Sequence, residues 1–289
     1  MGCTPHYRRE GVPVLYKREN NGRLMVHVRA FLSSRITPTS ARLNLMLRSI
    51  KQLYGDELKA TDGQIGHIKD FYFDDQNWAV RYVVVDTGSW LSGRLVLISP
   101  HAFTNFDLDG VCRGVNLTRK QIESSPDFDS EKPVSRQYED EYYRYYGWPT
   151  YWQGGGLWGI GAFPIIAPPL DERPDVPARE PISSPEGGDA RLRSTQALNG
   201  YHIQTDEGAI GHVIDFIVDH ESWAICHLVV ETGHWYSGKE IVISPKQIVR
   251  ISYDESKVFV SVTKETILKA PEYHVFPWAF KDTALVASK

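Results

Sequence analysis

The chain contains two copies of one segment. Residues Arg48 to Phe128 align with Arg193 to Tyr273 at a constant offset of 145 positions and without a gap, and 28 of the 81 paired residues are identical. A fixed period of this length marks a duplicated structural unit. We therefore expect a residue that occurs in both copies to serve the fold, and a residue found in only one copy to mark a difference in role.

The shared residues are mostly turn formers, β-branched residues and aromatics, which are typical of a small all-β unit. In the first copy they cluster in Ile65-Gly66-His67, Asp70-Phe71, Trp78-Ala79, Val84-Val85, Thr87-Gly88 and Ile98-Ser99-Pro100. This pattern predicts strands over residues 65–73, 78–86 and 94–98 with turns between them, and the same succession in the second copy.

One short helix is predicted at the end of each copy. Thr118-Arg119-Lys120-Gln121 has the sequence of a capping box, and Pro126 follows where the helix must stop. The second copy has Thr263 at the cap and Pro271 at the stop, but a threonine replaces the glutamine of the box.

Composition and charge narrow the class of protein. The apolar fraction of 42% and the charged fraction of 24% are those of a soluble globular protein. Residues 1–45 carry eight Lys or Arg and two acidic residues, so the net charge of −4 leaves −10 for the remaining chain. An acidic body argues against direct binding of nucleic acid, which needs a basic face.

Cysteine usage and hydropathy indicate a cytoplasmic protein. Cys3, Cys112 and Cys226 lie far apart, without the close spacing of a metal site or a disulfide framework, and we expect ordinary thiols in a reducing compartment. No run of 18 apolar residues predicts a membrane span, although peripheral association with a membrane complex stays open.

Five segments are expected along the chain. They are a basic segment over residues 1–45, a first domain over 46–128, a connector over 129–192, a second domain over 193–273 and a tail over 274–289. For residues 1–45 we weigh three interpretations: sequence upstream of a true start at Met46, a disordered basic arm, or an organelle transit peptide.

The connector has two parts of different composition. Residues 138–158 hold nine aromatics in 21 positions, and residues 168–185 hold six prolines. Disordered chains are poor in aromatics, so the first part is expected to cover a barrel edge, bridge the two barrels or form an oligomer contact, and packing within the chain is favoured. The proline-rich part is expected to be an extended linker.

The repeat resembles the PRC-barrel family. The resemblance rests on Gly66-x-x-x-Asp70, the hairpin after it, the Val-Val-x-Thr-Gly strand end and the Ile-Ser-Pro stop. It implies an all-β fold of two small PRC-type β-barrels in tandem, each followed by a short helix and joined by the aromatic and proline-rich connector. Tandem PRC-barrel proteins of bacteria are the most similar in arrangement.

The resemblance admits three functions. The favoured one is a non-catalytic cytoplasmic scaffold that binds a protein partner or itself. The family also includes the cytoplasmic domain of the photosynthetic reaction centre H subunit, which implies a role in regulating electron or proton transfer. It further includes a domain of a ribosome maturation factor, which implies an adaptor in ribosome maturation or RNA processing.

The polar residues shared by the copies invite a chemical interpretation. His67 and His212 occupy equivalent positions, but one histidine and one aspartate on a strand make an incomplete metal site. Asp70, Asp74 and Asp86 are interpreted as residues that cap turns at hairpin ends. We therefore expect no enzyme, and the sequence predicts no catalytic residue, cofactor or metal ion.

The predicted partner-binding residues are aromatic and cationic. Both copies contain a Trp followed by a tight turn and a cation, and this element consists of Trp90 with Arg94 and of Trp235 with Lys239. Such a composition is typical of binding hot spots, although a Trp that covers the end of its own barrel is the alternative. Trp148 and Trp152 of the connector complete the set.

Overall fold

The structure is a computed structural model that describes residues 17–18, 24–25, 47–103, 114–130, 132–159, 192–233, 238–270 and 272–273. The chain divides into two compact units, Met1–Arg42 and Leu43–Lys289. In the first unit, β1 (Lys17–Arg18) pairs antiparallel with β2 (Leu24–Met25). The expectations for the rest of residues 1–45, for the proline-rich linker and for residues 274–289 lie outside the described residues.

The second unit holds both repeats, and their elements follow each other in the same order. The first repeat has β3 (Leu47–Ser49), α1 (Ile50–Leu53), β4 (Glu57–Ala60), β5 (Gly63–Asp74), β6 (Ala79–Asp86), β7 (Leu95–Ile98) and α2 (Arg119–Glu123). The connector contributes α3 (Arg136–Tyr146).

The second repeat continues the series with the same elements and with two further strands. It has β8 (Leu192–Ser194), α4 (Thr195–Leu198), β9 (His202–Thr205), β10 (Gly208–Asp219), β11 (Ile225–Thr232), β12 (Glu240–Ile243), β13 (Ile248–Ser252), β14 (Lys257–Val260) and α5 (Lys264–Leu268). The two further strands are β13 and β14. Each repeat is therefore strand-rich, and the strands predicted from the repeat pattern are present.

The strands form two open sheets. The first has the order β4-β5-β6-β7, and the second has the order β12-β11-β10-β9-β14-β13. Among the described strands no pairing closes either sheet into the expected barrel. In the second sheet the consecutive strands β12 and β13 are joined by a 3₁₀ turn, Pro245–Gln247, instead of a hairpin. Proline lacks the N–H that a further ladder bond would need, so the ladder ends at this turn.

The repeats exchange their first strands. β3 of the first repeat pairs with β10 of the second, and β8 of the second repeat pairs with β5 of the first. Ser49 lies opposite Ile217, and Ser194 lies opposite Tyr72. The two pairings are equivalent, because Ser49 and Ser194 are counterparts at the offset of 145, and so are Tyr72 and Ile217. The repeats are thus joined by reciprocal strand addition, which the repeat boundaries by themselves do not indicate.

The exchanged strands lead directly into short helices whose caps are built from their own serines. The Ser49 hydroxyl accepts a hydrogen bond from the Gln52 amide, and the Ser194 hydroxyl accepts one from the Ala197 amide. A serine in extended conformation just before a helix satisfies one of its free N–H groups. Each exchanged segment is therefore a strand and a capped helical turn that inserts as one piece.

The two repeats also meet along a local symmetry axis. Ala79 forms an antiparallel bridge with Ala224, its own counterpart at the offset of 145. On either side the Val80 amide donates to the Trp223 carbonyl at 2.9 Å, and the Ile225 amide donates to the Trp78 carbonyl at 2.7 Å. A contact between equivalent residues is the signature of an approximate two-fold axis.

Gly66 and Gly211 are shared because the backbone passes too close for a side chain. A Cβ on Gly66 would lie 1.9 Å from the Asp86 carbonyl oxygen, and one on Gly211 would lie 2.1 Å from the Glu231 carbonyl oxygen. Glycine in a strand often marks such a close approach. These glycines allow β5 and β10 to bend against the ends of β6 and β11.

One hydrophobic core extends through both repeats and the connector. It includes Phe71 and Val83 of the first repeat, Phe216 and Leu228 of the second, and Tyr142 of α3, all of them buried. The rings of Phe73 and Phe216 lie 5.8 Å apart, which places a direct aromatic contact between the repeats. Since one core serves both repeats, we expect them to unfold together.

Helix α3 covers the outer side of the first sheet. Ser135 caps it, and Gly147 ends it in the left-handed conformation at φ 63°. Its side chains Tyr142, Tyr143 and Tyr146 are fully buried. The aromatic part of the connector therefore packs within the chain, as the favoured interpretation predicts.

Among the described residues, no helix is long and apolar enough to cross a membrane.

Candidate functional site

The Trp–turn–cation element of the first repeat is a compact loop. Ser92 and Gly93 adopt left-handed conformations at φ 53° and 76°. The Thr87 hydroxyl donates a hydrogen bond to the Arg94 carbonyl at 2.7 Å, which closes the loop. Trp90 projects from it half-buried, and the Arg119 guanidinium lies 4.4 Å from the centre of its ring. The loop thus holds a partly exposed tryptophan against a cation.

Arg94 is engaged within its own repeat. Its guanidinium donates to the carbonyls of Glu123 and Ser125, at 3.0 and 2.9 Å, where α2 ends. It also forms an ion pair of 2.8 Å with Asp127. A cation that binds the last carbonyls of a helix stabilises that end, so Arg94 holds the helix to the sheet.

Lys239 has the equivalent contact in the second repeat. It pairs with Glu272, and these residues are the counterparts of Arg94 and Asp127. The shared cation therefore has a structural partner in both copies. Trp235 lies outside the described residues.

Trp148 and Trp152 sit differently in the connector. Trp148 is 8% exposed and stacks on Tyr146 with ring centres 4.5 Å apart. Trp152 is half-buried, and the Arg136 guanidinium lies 4.1 Å from the centre of its ring. Of the two, Trp152 is thus the one that a partner can reach.

Beneath the connector lies a buried ion pair that the sequence did not indicate as a site. Arg81 of β6 is 0% exposed and pairs with Asp74 at 3.2 Å. It also donates to the Leu157 carbonyl at 2.7 Å, and the Tyr151 ring lies 3.9 Å from its guanidinium carbon. A buried charge requires such partners, so the connector and β6 are bound to each other by this arginine.

Glu139 of α3 is the second buried charge at this interface. It pairs with Arg136 at 2.8 Å and accepts hydrogen bonds from the hydroxyls of Tyr151, at 2.7 Å, and Tyr82, at 3.2 Å. Burial raises the pKa of its carboxyl to about 7, although these partners act to lower it. Glu139 therefore changes its protonation state near neutral pH.

His101 completes this buried cluster. Its ring lies 5.0 Å from the ring of Trp158 and 5.7 Å from the ring of Trp148. Burial, with a smaller effect from the Arg81 charge, lowers the pKa of His101 to about 4. The imidazole is thus neutral at physiological pH and acts as a packing group between aromatic rings.

A polar cleft of about 240 Å³ opens beside this interface. Its walls are the hairpin turn at Asp74, Gln76 and Asn77, and the connector residues Arg136, Trp152 and Gly154–Gly156. The Asp74 carboxylate already accepts hydrogen bonds from the amides of Gln76 and Asn77. The carboxylate therefore stabilises the turn, and the stacked pair of Arg136 and Trp152 lines the cleft as well.

The shared aspartates have two different roles, and the turn interpretation is wrong for one pair. Asp74 does cap its hairpin turn, and Asp86 accepts a hydrogen bond from the Gly88 amide. Asp70 instead lies inside β5 and accepts hydrogen bonds from the Ser194 hydroxyl at 2.5 Å and the Thr195 hydroxyl at 3.0 Å. It holds the strand and helix received from the other repeat.

Asp215 does the same for the first exchanged segment. It accepts hydrogen bonds from the Ser49 hydroxyl at 2.5 Å and the Lys51 amide at 2.9 Å. Burial raises the pKa of Asp70 and of Asp215, while these hydrogen bonds act to lower it. We call the aspartate of the Gly-x-x-x-Asp motif a latch, because it lies buried in its strand and binds the segment received from the other repeat through hydrogen bonds.

The two shared histidines are surface residues of their strands. His67 is exposed, and His212 lies 3.5 Å from Glu231 with both side chains partly exposed. Among the described residues, no group of three or more His, Cys, Asp or Glu side chains could hold a metal ion. The arrangement therefore favours the interpretation of His67 and His212 as solvated strand residues.

Sequence reasoning missed Arg81, Glu139 and His101. A signal for Arg81 was present, since it is a charged residue within a strand that otherwise reads Ala-Val-Arg-Tyr-Val-Val-Val. It also differs from its counterpart Cys226, which marks it as a residue of one copy only. For Glu139 and His101 the sequence offers no comparable signal, because their burial depends on where α3 packs.

Comparison with protein families identifies the first repeat. Residues 48–121 match the family described as the PRC-barrel domain. The chain thus contains one PRC-barrel domain, which begins in the exchanged strand β3 and ends in α2. A search of curated proteins finds no match to the chain.

Proposed function

We propose that this chain is a non-catalytic scaffold in which two PRC-type modules form one rigid body and bind a protein partner. The family match covers residues 48–121, and we propose a second module of the same type over residues 193–273. The same strand order and the same pairings at an offset of 145 support it, including the parallel pairing of β14 with β9 and its counterpart between Lys59 and Gly114.

The reciprocal strand exchange is the observation that carries the proposal. Each repeat supplies one strand to the sheet of the other, and each inserted segment is held by a buried aspartate. Separating the modules would break both strand pairings and both aspartate latches at once. A body that cannot hinge between its modules holds its surface residues at fixed distances, as a scaffold requires.

The use of the buried polar groups favours a non-catalytic role. Asp70, Asp74 and Arg81 each contact other residues of the chain through several hydrogen bonds. Catalytic groups must instead direct a polar atom towards a substrate. In this chain the buried charges join strands, turns and connector.

Two aromatic–cation pairs are the proposed contact points. They are Trp90 with Arg119 and Trp152 with Arg136, in each of which a guanidinium lies over a half-buried ring. Trp and Arg are the residue types most enriched in binding hot spots. Each pair offers a partner a rigid aromatic surface with a positive charge beside it, which suits an acidic protein surface.

The test is to isolate a partner and to map its contacts. The full chain, tagged at one end, is purified from its native cells, and the retained proteins are identified by mass spectrometry. Binding of the purified partner is then measured by calorimetry for wild type, Trp90→Ala, Trp152→Ala and the control Val249→Ala, which alters an exposed residue of β13. We expect a loss of roughly tenfold or more for at least one tryptophan variant and none for the control.

Thermal unfolding of each variant separates lost binding from lost folding. The proposal is wrong if no protein is retained at a near-stoichiometric ratio. It is also wrong if the folded double variant Trp90→Ala/Trp152→Ala binds the partner as tightly as wild type. A partner from a photosynthetic membrane complex would favour the H-subunit role, and a ribosomal protein would favour the maturation role.

A further inference from the structure

The second repeat carries a small hydrophobic cluster apart from the main core. We call it the second outer face, and it consists of Leu47, Ile214, Ile217, Val229, Val242 and Tyr273. Ile217 and Val229 are fully buried, whereas Leu47, Ile214 and Val242 are half-buried. The cluster therefore forms an apolar surface on the side of β10, β11 and β12 that faces away from the main core.

The equivalent side of the first repeat shows what such a surface packs against. The counterparts of Ile217, Val242 and Tyr273 are Tyr72, Leu97 and Phe128. There the Phe128 ring contacts the rings of Tyr72 at 5.9 Å and Tyr138 at 6.3 Å. The Tyr142 hydroxyl donates to the Leu97 carbonyl at 3.0 Å. The segment that follows Phe128 thus returns over the sheet that Phe128 itself contacts.

The chain reaches the same point in both repeats by the same route. After α2 the pair of Arg94 and Asp127 directs the chain to Phe128, and after α5 the pair of Lys239 and Glu272 directs it to Tyr273. Ile241 and Glu272 also form a β-bridge, which fixes the chain one residue before Tyr273 on the edge of β12. The chain therefore leaves Tyr273 beside the second outer face.

The residues that follow Tyr273 are rich in aromatics, as expected of a segment that packs on an apolar surface. Residues 274–289, which lie outside the described part of the chain, begin His-Val-Phe-Pro-Trp-Ala-Phe. Three aromatics within five positions resemble the aromatic part of the connector, which begins at Tyr138, ten positions after the first repeat ends. Sixteen residues are enough to span the face, since each extended residue adds about 3.3 Å.

We propose that residues 274–289 dock on the second outer face, as the connector covers the first. Phe276, Trp278 and Phe280 supply the apolar contacts, and Val242 and Ile214 lie beneath them. The proposal is independent of the scaffold function, because it concerns a contact within the chain and requires no external partner.

The test measures protection of a thiol placed on the face. Cys3, Cys112 and Cys226 are replaced by serine in the full chain, and Val242→Cys adds the reporter. We expect the reporter to react with a maleimide at least tenfold faster when Phe276, Trp278 and Phe280 are all changed to alanine. The matched control Val249→Cys lies on β13 outside the face, is 66% exposed as valine, and should react at the same rate in both backgrounds.

A second measurement adds the segment in trans. A synthetic peptide of residues 274–289 should slow the reaction of the reporter in the triple alanine variant, with saturation as its concentration rises. Equal reporter rates with and without the three aromatics would overturn the proposal. Protection that falls on dilution, together with a dimer by light scattering, would also overturn it, because the occupant would then be a second copy of the chain.

Discussion

β6 and β11 are equivalent strands of the two repeats, and they differ most on the side that faces outward. In β6 every residue from Ala79 to Val85 is buried, whereas in β11 Cys226 and His227 are partly exposed. The inward-facing Val85 and its counterpart Val230 are identical, and both belong to the main core. The duplication has therefore kept the surfaces where the repeats form their core and changed the outer ones.

The difference between β6 and β11 shows which side chains a strand needs when the connector packs on it. Under the connector, position 81 is an arginine that binds the Leu157 carbonyl and Asp74, and position 82 is a tyrosine that binds Glu139. Their counterparts in β11 are Cys226 and His227, which are both partly exposed. Polar side chains thus join the connector to the first repeat. The predictions below concern this difference between β6 and β11 and the strand exchange that the two repeats share.

The largest expected effect is at Arg81. Replacing it by the residue of the other copy, Arg81→Cys, removes the partner of buried Asp74 and the contact to the Leu157 carbonyl. We expect a loss of about 3–5 kcal/mol in the free energy of unfolding, measured by urea denaturation. Cys226→Ala should cost less than about 1.5 kcal/mol. Equal losses for Arg81→Cys and Cys226→Ala would show that the two repeats depend equally on this position of the strand.

The aspartate latches should behave alike, in contrast to Arg81. Asp70→Ala and Asp215→Ala each remove a buried acceptor of several hydrogen bonds from the other repeat. We expect about 2–4 kcal/mol for each. Asp86→Ala, which alters a turn within one repeat, should cost less than about 1 kcal/mol. A latch variant as stable as this control would contradict the role assigned to the exchange.

The stability of the covered side should depend on pH through Glu139. Its pKa is about 7 in the folded chain and 4.5 ordinarily, so between these values the folded state binds the extra proton. This contribution to stability is present below pH 4.5 and is lost as the pH rises towards 7. We therefore expect Glu139→Gln to gain about 2–3 kcal/mol relative to wild type between pH 5 and pH 7.5.

The comparison with Glu139→Gln removes the effects of other groups. His101, whose pKa is lowered to about 4, destabilises the fold as the pH falls below 6.5 and does so equally in both proteins. Denaturation curves at five pH values provide the measurement. A difference between the two proteins that stays constant with pH would show that Glu139 does not titrate in this range.

The smallest expected effect is at a single hydroxyl. Tyr142→Phe removes the donor to the Leu97 carbonyl and the acceptor of the Ser99 amide, which are both buried beneath α3. We expect a loss of about 1–2 kcal/mol in thermal or urea unfolding. Tyr145→Phe removes one hydrogen bond at a half-buried site and should cost at most about 1 kcal/mol. A larger loss for Tyr145→Phe than for Tyr142→Phe would mean that the half-buried residues of α3 contribute more to its packing than the buried ones.

The sequence predicts the local structure of this fold well, because turns and caps depend on neighbouring residues. The turn at Ser92 and Gly93 and the capping box at Thr118 are both present where the sequence places them. The exchange could not be predicted, since Leu47-Arg48-Ser49 has the same pattern whether it pairs with its own repeat or with the other. Only the positions of β5 and β10 in space decide between these pairings.

The candidate site was predictable to a smaller degree. The sequence selected Trp90 and Arg94 as a shared element, and the structure shows that Arg94 binds within its repeat. It selected the connector aromatics as a packed segment, which they are. The roles of Asp70 and Glu139 escaped it because a carboxylate in a turn and one in a buried interface look identical in sequence. Ser194, which binds Asp70, lies 124 positions away, and Tyr82, which binds Glu139, lies 57 positions away.

The exchanged strands give this single chain the layout of a homodimer, because each repeat adds one strand to the sheet of the other about an approximate two-fold axis. In a homodimer every substitution appears twice, on both sides of the axis. In a single chain that restriction is absent, and position 81 is an arginine whereas its counterpart at position 226 is a cysteine.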